Sequence, residues 1–94
     1  MTYVLRYHPK VVGDDLPDIP TNVRERLGRS IRTRLTSAPE RYGAPLRGSL
    51  RGYWKLRVGD YRAVFRIVGN EVRILVVLHR SRVYETAAKR APRT

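Results

Sequence analysis

Two glycine turns divide the stretch from Tyr53 to Leu78 into three β-patterned runs, and this punctuation restricts the chain more than any other feature. Tyr53 to Val58 alternates, Gly59-Asp60 reads as a tight turn, Tyr61 to Val68 alternates again, and Gly69-Asn70 forms a second turn before the apolar run Val72 to Leu78. Strands joined by two-residue turns pair antiparallel with their neighbours. The pattern therefore predicts a meander whose last strand, apolar on both faces, is central and covered on both sides.

Upstream, Thr2 to Tyr7 is a short run of β-formers ending at His8-Pro9. Pro9 suits the first turn of a helix carrying Val11, Val12, Leu16 and Ile19 on one face, which Gly13, Pro17 and Pro20 make short and irregular. A clearer helix follows. Asn22 with Glu25 three positions on resembles a capping box, Val23, Leu27, Ile31 and Leu35 recur every fourth residue, and Pro39 ends the pattern. Its other face holds Arg24, Arg26, Arg29, Arg32 and Arg34, read as a solvated surface with an RNA or partner contact as the alternative. Residues 36–52 form a connection rich in Pro and Gly, and Val83 to Lys89 a short C-terminal helix or coil before a tail with Pro92 and Arg93. The expectation is one α+β domain over residues 1–94, in the order β-α-α-β-β-β. An antiparallel sheet packs on an N-terminal helical hairpin, and its other face is left free for binding.

Side chains two apart on a strand share a face. Trp54, Leu56 and Val58 take the core parity on one strand and Tyr61, Ala63, Phe65 and Ile67 on the next, so Tyr53, Lys55 and Arg57 lie beside Arg62, Val64 and Arg66 on the other face. Like charges facing each other across strands cost a few tenths to about 1 kcal/mol each, so this cluster points to an anionic ligand and not to stability. Arg80 directly follows the last strand, and Tyr84 lies in the segment His79-Arg80-Ser81-Arg82-Val83-Tyr84 that can close the same face. An aromatic ring beside phosphate-holding cations suits single-stranded RNA, because a base stacks for about 1–3 kcal/mol while the cations fix the backbone.

The charge of the whole chain agrees. Twenty Lys and Arg against eight Asp and Glu give a formal net charge of +12, which calls for an anionic partner. Seventeen of the cations are arginines, whose planar fork matches a phosphate at two points. Residues 46–94 hold twelve of the cations and three of the acids, so the anion site belongs to the second half.

With no cysteine, disulfides and thiolate chemistry are excluded. Asp60, Glu71 and Glu85, the acids of the second half, are not spaced as a magnesium site, so no metal or cofactor is expected. No apolar run reaches the roughly 18 to 20 residues that span a bilayer, and the start carries no signal-like segment, so the expectation is a cytoplasmic protein without a membrane partner. By parity His79 opposes Arg80 and takes a structural or surface role, His8 ends a strand, and Trp54 belongs to the core.

Three spaced motifs carry a family resemblance: Pro45-Leu46-Arg47-Gly48, the run Trp54 to Phe65, and His79 to Tyr84. Together they resemble the RelE/ParE superfamily of toxins from toxin-antitoxin modules, the RelE branch more than the ParE branch. The resemblance implies a ribosome-dependent endoribonuclease that cuts mRNA without metal, the 2′-hydroxyl attacking its own phosphate to leave a cyclic phosphate. It also implies an antitoxin partner. By position, Lys55 matches the catalytic lysine that helps deprotonate the 2′-hydroxyl or stabilises the charge formed there, and Arg62 the arginine holding the phosphate. Arg80 matches the arginine on the leaving-group side and Tyr84 the tyrosine that stacks on the base. Arg57, Arg66, Tyr53 and Arg82 are expected to bind RNA around them. Where well-known RelE enzymes carry a second lysine two residues before the first, this chain has Tyr53, so proton abstraction falls on Lys55, with Arg57 as its neighbour. An arginine holds its proton too firmly to act as an acid, so Arg80 is read as stabilising charge. Two readings of another class stand beside this one: a ParE-like inhibitor of DNA gyrase or an inactive antitoxin-binding relative, and a basic ribosome-associated protein without toxicity.

Overall fold

The computed structural model describes residues 2–92; Arg93 of the tail lies outside them. The three patterned runs form strands β3 (Trp54–Val58), β4 (Tyr61–Val68) and β5 (Glu71–His79), paired antiparallel as their turns require. Two shorter strands extend this meander. β1 (Val4–Tyr7) lies on the far side of β5, and β2 (Ala44–Pro45), inside the stretch read as a connection, pairs with Trp54 and Lys55. The order across the sheet is β1-β5-β4-β3-β2. β1 runs parallel to β5, with Leu5 opposite Val72 and Tyr7 opposite Ile74, so the sheet is not antiparallel throughout. No hairpin ties β1 to its neighbour, so nothing in the local chain fixes its direction.

Between β1 and β2 the chain is helical. Val11–Asp15 forms a π-helical turn and Leu16–Asp18 a 3-10 turn, the irregular segment that the prolines predict. Val11 and Ile19 are buried there, but Val12 points to solvent, against its expected place in the core. Helix α1 (Thr21–Ser30) continues as a π-helical turn through Ile31–Leu35. Its stripe of Leu27, Ile31 and Leu35 is fully buried, each side chain contributing on the order of 1.5–3 kcal/mol. The expected capping box does not form. Pro20 occupies the cap position without a side-chain cap bond, and Asn22 sits inside the first turn, because the Pro20 carbonyl already accepts from the Arg24 N–H. Pro39 ends this helix by opening another, the short α2 (Pro39–Tyr42). Beyond it Gly43 lies so close to Phe65 that an added Cβ would stand 2.7 Å from the ring.

One core lies between these helices and the sheet, around Leu56, Ala63, Phe65, Val72, Ile74 and Val77. The other face, expected to be free, carries a second core: helix α3 (Val83–Arg90) lays Val83 and Ala87 over Val64, Leu75 and Val76. A register shift between Val64 and Phe65 allows both cores, since Val64 pairs with Val76 and Phe65 with Ile74. The extra residue, Leu75, turns toward α3 beside Val76.

β1 ends at Tyr7, so the edge of β5 beyond Ile74 has no strand partner. Asp15 and Arg90 take that place. The Val77 N–H donates to Asp15 Oδ2 at 3.0 Å, Arg90 Nη1 donates to the Leu75 carbonyl at 3.0 Å, and the two side chains form a bidentate pair at 2.8 and 3.1 Å. Both are nearly buried. The helical hairpin, the central sheet and α3 are thereby joined at one point. Among the described residues no helix is long and apolar enough to cross a membrane.

Candidate functional site

Lys55, Arg57 and Arg62 occupy the face that parity assigns them, Arg57 and Arg62 near the Gly59-Asp60 turn and Lys55 further along β3. Arg57 and Arg62 are directly opposed in the β3–β4 register, and Lys55 stands two pairs along, opposite Val64. Arg62 is less open than its parity suggests. It is 9% exposed, because its guanidinium folds back on the turn, Nη1 donating to the Gly59 and Tyr61 carbonyls at 2.9 Å each. Nε and Nη2 make no hydrogen bond among the described residues, so they are the donors available to an incoming oxyanion.

Gly59 has φ +60°, the left-handed conformation of such a turn. The turn also sets Arg80, whose N–H donates to the Asp60 carbonyl at 2.8 Å as the chain leaves β5. The side chains of Arg57 and Arg80 are exposed. Tyr84, on the first turn of α3, completes the group with its ring centroid 5.8 Å from Lys55 Nζ. Of the predicted residues, Lys55, Arg57 and Arg62 thus share one face of the hairpin, Tyr84 lies over Lys55, and the backbone of Arg80 is tied to the adjoining turn. Together they supply fixed positive charge and a flat ring, the elements needed to hold a phosphodiester beside a planar base.

Arg66 and Tyr53 lie apart. Arg66 stacks over Tyr53 at 6.0 Å, at the opposite end of the hairpin. These two line a separate hollow of about 260 Å³ with Arg73, Tyr7 and His8. Strand geometry explains the separation, since Arg62 and Arg66 are four residues apart and thus about 13 Å along β4, and α3 crosses the face that was expected to connect them. Arg82 is the exposed cap residue of α3, with no side-chain bond to the group.

His79 is the last residue of β5. Its ring meets Tyr61 edge-on at 5.6 Å, and Nδ1 accepts the Ser81 N–H at 3.2 Å. Trp54 stacks on Phe65 in the helix-side core, centroids 6.5 Å apart. His8 lies just beyond the end of β1, its Nδ1 accepting the Lys10 N–H at 3.1 Å. Burial, then the charges of Arg90 and Lys10, lower its pKa against the opposing pull of Asp15. Burial also raises the Tyr7 phenol above its usual range. Glu71 receives Arg73 Nε at 3.0 Å and Arg6 Nε at 3.3 Å, and the two arginines hold its carboxyl below the ordinary carboxylate range. Among the described residues no three His, Cys, Asp or Glu side chains are grouped as metal ligands would be.

Sequence reasoning missed the Asp15–Arg90 pair, because neither residue carries a local signal: Asp15 falls in an irregular helix and Arg90 among many arginines. Their partnership spans 75 positions, and only the tertiary fold shows it.

The model of the ParE toxin family of type II toxin-antitoxin systems matches residues 5–84. Among solved structures, the toxin-antitoxin complex RelBE2 from Mycobacterium tuberculosis contains a chain of 31% identity, with a TM-score of 0.79 over 86% of this chain and 94% of that one. A mutant of the Escherichia coli toxin RelE in the free state shares the fold at 24% identity, with a TM-score of 0.74 over 98% and 100% of the two chains. The RelB-RelE antitoxin-toxin complex from Methanococcus jannaschii does so at 24% identity, with a TM-score of 0.66 over 85% and 95%. No curated protein matches the sequence significantly. With a family model matched over residues 5–84 and 31% identity to a solved toxin, the chain belongs to the RelE/ParE superfamily of type II toxin-antitoxin toxins.

Proposed function

We propose that this toxin is a ribosome-dependent endoribonuclease that cleaves mRNA and is neutralised by a cognate antitoxin. The observation that supports the proposal is that Lys55, Arg57 and Arg62 share one face of the β3–β4 hairpin with Tyr84 over Lys55, and that the backbone of Arg80 is tied to the same turn that Arg62 binds. In the reaction the 2′-oxygen forms a bond to the adjacent phosphorus and the bond from phosphorus to the 5′-oxygen breaks, leaving a 2′,3′-cyclic phosphate and a 5′-hydroxyl. Lys55, with Arg57 beside it, helps remove the 2′-hydroxyl proton or stabilises the charge formed there. Arg62 holds the non-bridging oxygens as their charge grows, Arg80 stabilises the departing 5′-oxygen, which takes its proton from solvent, and Tyr84 stacks on a flanking base. Tyr53, Arg66 and Arg82 contact RNA outside this centre. The antitoxins in the solved RelBE2 and RelB-RelE complexes support the same kind of partner here.

The test is to map mRNA 5′ ends in cells after a pulse of expression. Cuts in register with codons are expected, and Arg62→Ala or Arg80→Ala should lower cleavage by about 100-fold or more, the scale on which losing a transition-state donor acts. Full toxicity of both variants would refute these roles. The match to the ParE family model favours one other reading, inhibition of DNA gyrase through a protein surface. That activity would produce DNA damage with intact mRNA, which the same experiment distinguishes.

A further inference from the structure

The geometry points to a second phosphate track, separate from the cleavage centre, that runs along the outer edge of the molecule. Arg26, Arg29 and Arg34, from α1 and its π-helical extension, and Arg57 of β3 line one concavity of about 310 Å³ beside the Gly59 turn. No acidic side chain lines it. The ion pairs among the described residues join Arg6 and Arg73 to Glu71, Lys89 to Glu85 and Arg90 to Asp15, and none uses these four arginines. A merely solvated face interleaves its charges, as the neighbouring stretch of α1 does by placing Glu25 among Arg24, Arg29 and Arg32. Four arginines without an ion-pair partner around one hollow, the Arg34 guanidinium lying over the Tyr42 ring at 5.5 Å, instead repel each other until an anion enters.

The spacing suits a polyanion. Arg26 to Arg34 spans about 12 Å along a helix axis, long enough to meet more than one phosphate of a strand. Arg57 links the two surfaces, since it opposes Arg62 across the hairpin and also lines the concavity. β2 covers the outer edge of β3 only at Trp54 and Lys55, so the backbone edge at Arg57 and Val58 is open between them. Phosphates leaving the Lys55–Arg62 end can pass over this edge and continue along α1. The occupant is therefore the phosphate backbone of RNA, an assignment that rests on the nuclease reading of the adjoining face.

The test measures binding of the full chain to a fluorescein-labelled RNA hairpin between 50 and 200 mM KCl, comparing the native protein with R26Q/R29Q and R26K/R29K, alongside single-turnover cleavage on programmed ribosomes. Each phosphate contact steepens the salt dependence by about 0.9 in the log–log slope. R26Q/R29Q should therefore lose affinity at low salt and show about 12-fold less salt dependence over that range, with an unchanged melting temperature and an unchanged cleavage rate at saturation. R26K/R29K should keep the native slope. An unchanged slope in R26Q/R29Q overturns the proposal. So does a loss of antitoxin binding with RNA binding intact. If the native protein binds RNA through these arginines but cuts none, the nuclease reading fails and the track stands; if it cuts and the slope does not change, the track alone fails.

Discussion

The Arg62 guanidinium divides its donors between fold and ligand. Nη1 is occupied by the Gly59 and Tyr61 carbonyls, so the side chain is already ordered before any oxyanion arrives, which is how preorganised electrostatic stabilisation works. Lysine in its place could serve the turn or the phosphate but not both, having no fork. His8 shows the same dependence on surroundings. Burial first, then Arg90 and Lys10, lower its pKa, and Nδ1 accepts a backbone N–H that a protonated ring would lose. Because the folded pKa lies below the unfolded one, the unfolded chain takes up the proton first. Stability should therefore fall as pH drops below about 6.5, until the ring is charged in both states. Thermal melts from pH 7.5 to 5 should show this slope, and His8→Gln should flatten it. The parity that put Lys55, Arg57 and Arg62 on one face was legible in the sequence; the burial of Arg62 was not, because it depends on carbonyls that only the closed turn presents.

At the scale of elements, the short β1 leaves an edge that two distant side chains must complete. The Asp15–Arg90 pair is nearly buried and joined to two backbone groups of β5. Removing one partner strands a charge, so Asp15→Ala should destabilise the fold by about 3–5 kcal/mol. Urea denaturation measures the loss, and faster hydrogen exchange at the Val77 amide should accompany it. The meander, the α1 stripe and the irregular first helical segment could all be read from period and punctuation. The bulge could not, since Leu75, Val76 and Val77 are all apolar and nothing local says which of them changes face. That one residue decides where α3 packs, and α3 in turn separates Tyr53 and Arg66 from the other predicted site residues.

At the scale of the molecule, a net charge of +12 sits on a three-layer body, the sheet enclosed by α1 on one face and α3 on the other. Self-repulsion of this size destabilises the compact state and is screened by salt, with a Debye length near 10 Å at 0.1 M. The melting temperature should rise between 20 and 300 mM KCl, an effect that calorimetry detects, while affinity for any polyanion falls over the same range. A melting temperature that fell would mean that attraction within the ion pairs outweighs the repulsion.

Much of this meets at the turn between β3 and β4. Arg62 donates to the Gly59 carbonyl, Arg80 is tied to the Asp60 carbonyl, and an Arg26 nitrogen lies 3.9 Å from where a Gly59 Cβ would stand. Side chains other than glycine pay roughly 1–2 kcal/mol for that left-handed backbone, and any shift to relieve it would reset the phase between the arginines of α1 and those of the hairpin. An exposed position with no side chain of its own thus sets the alignment of both charged surfaces, and among surface residues it should be one of the least replaceable.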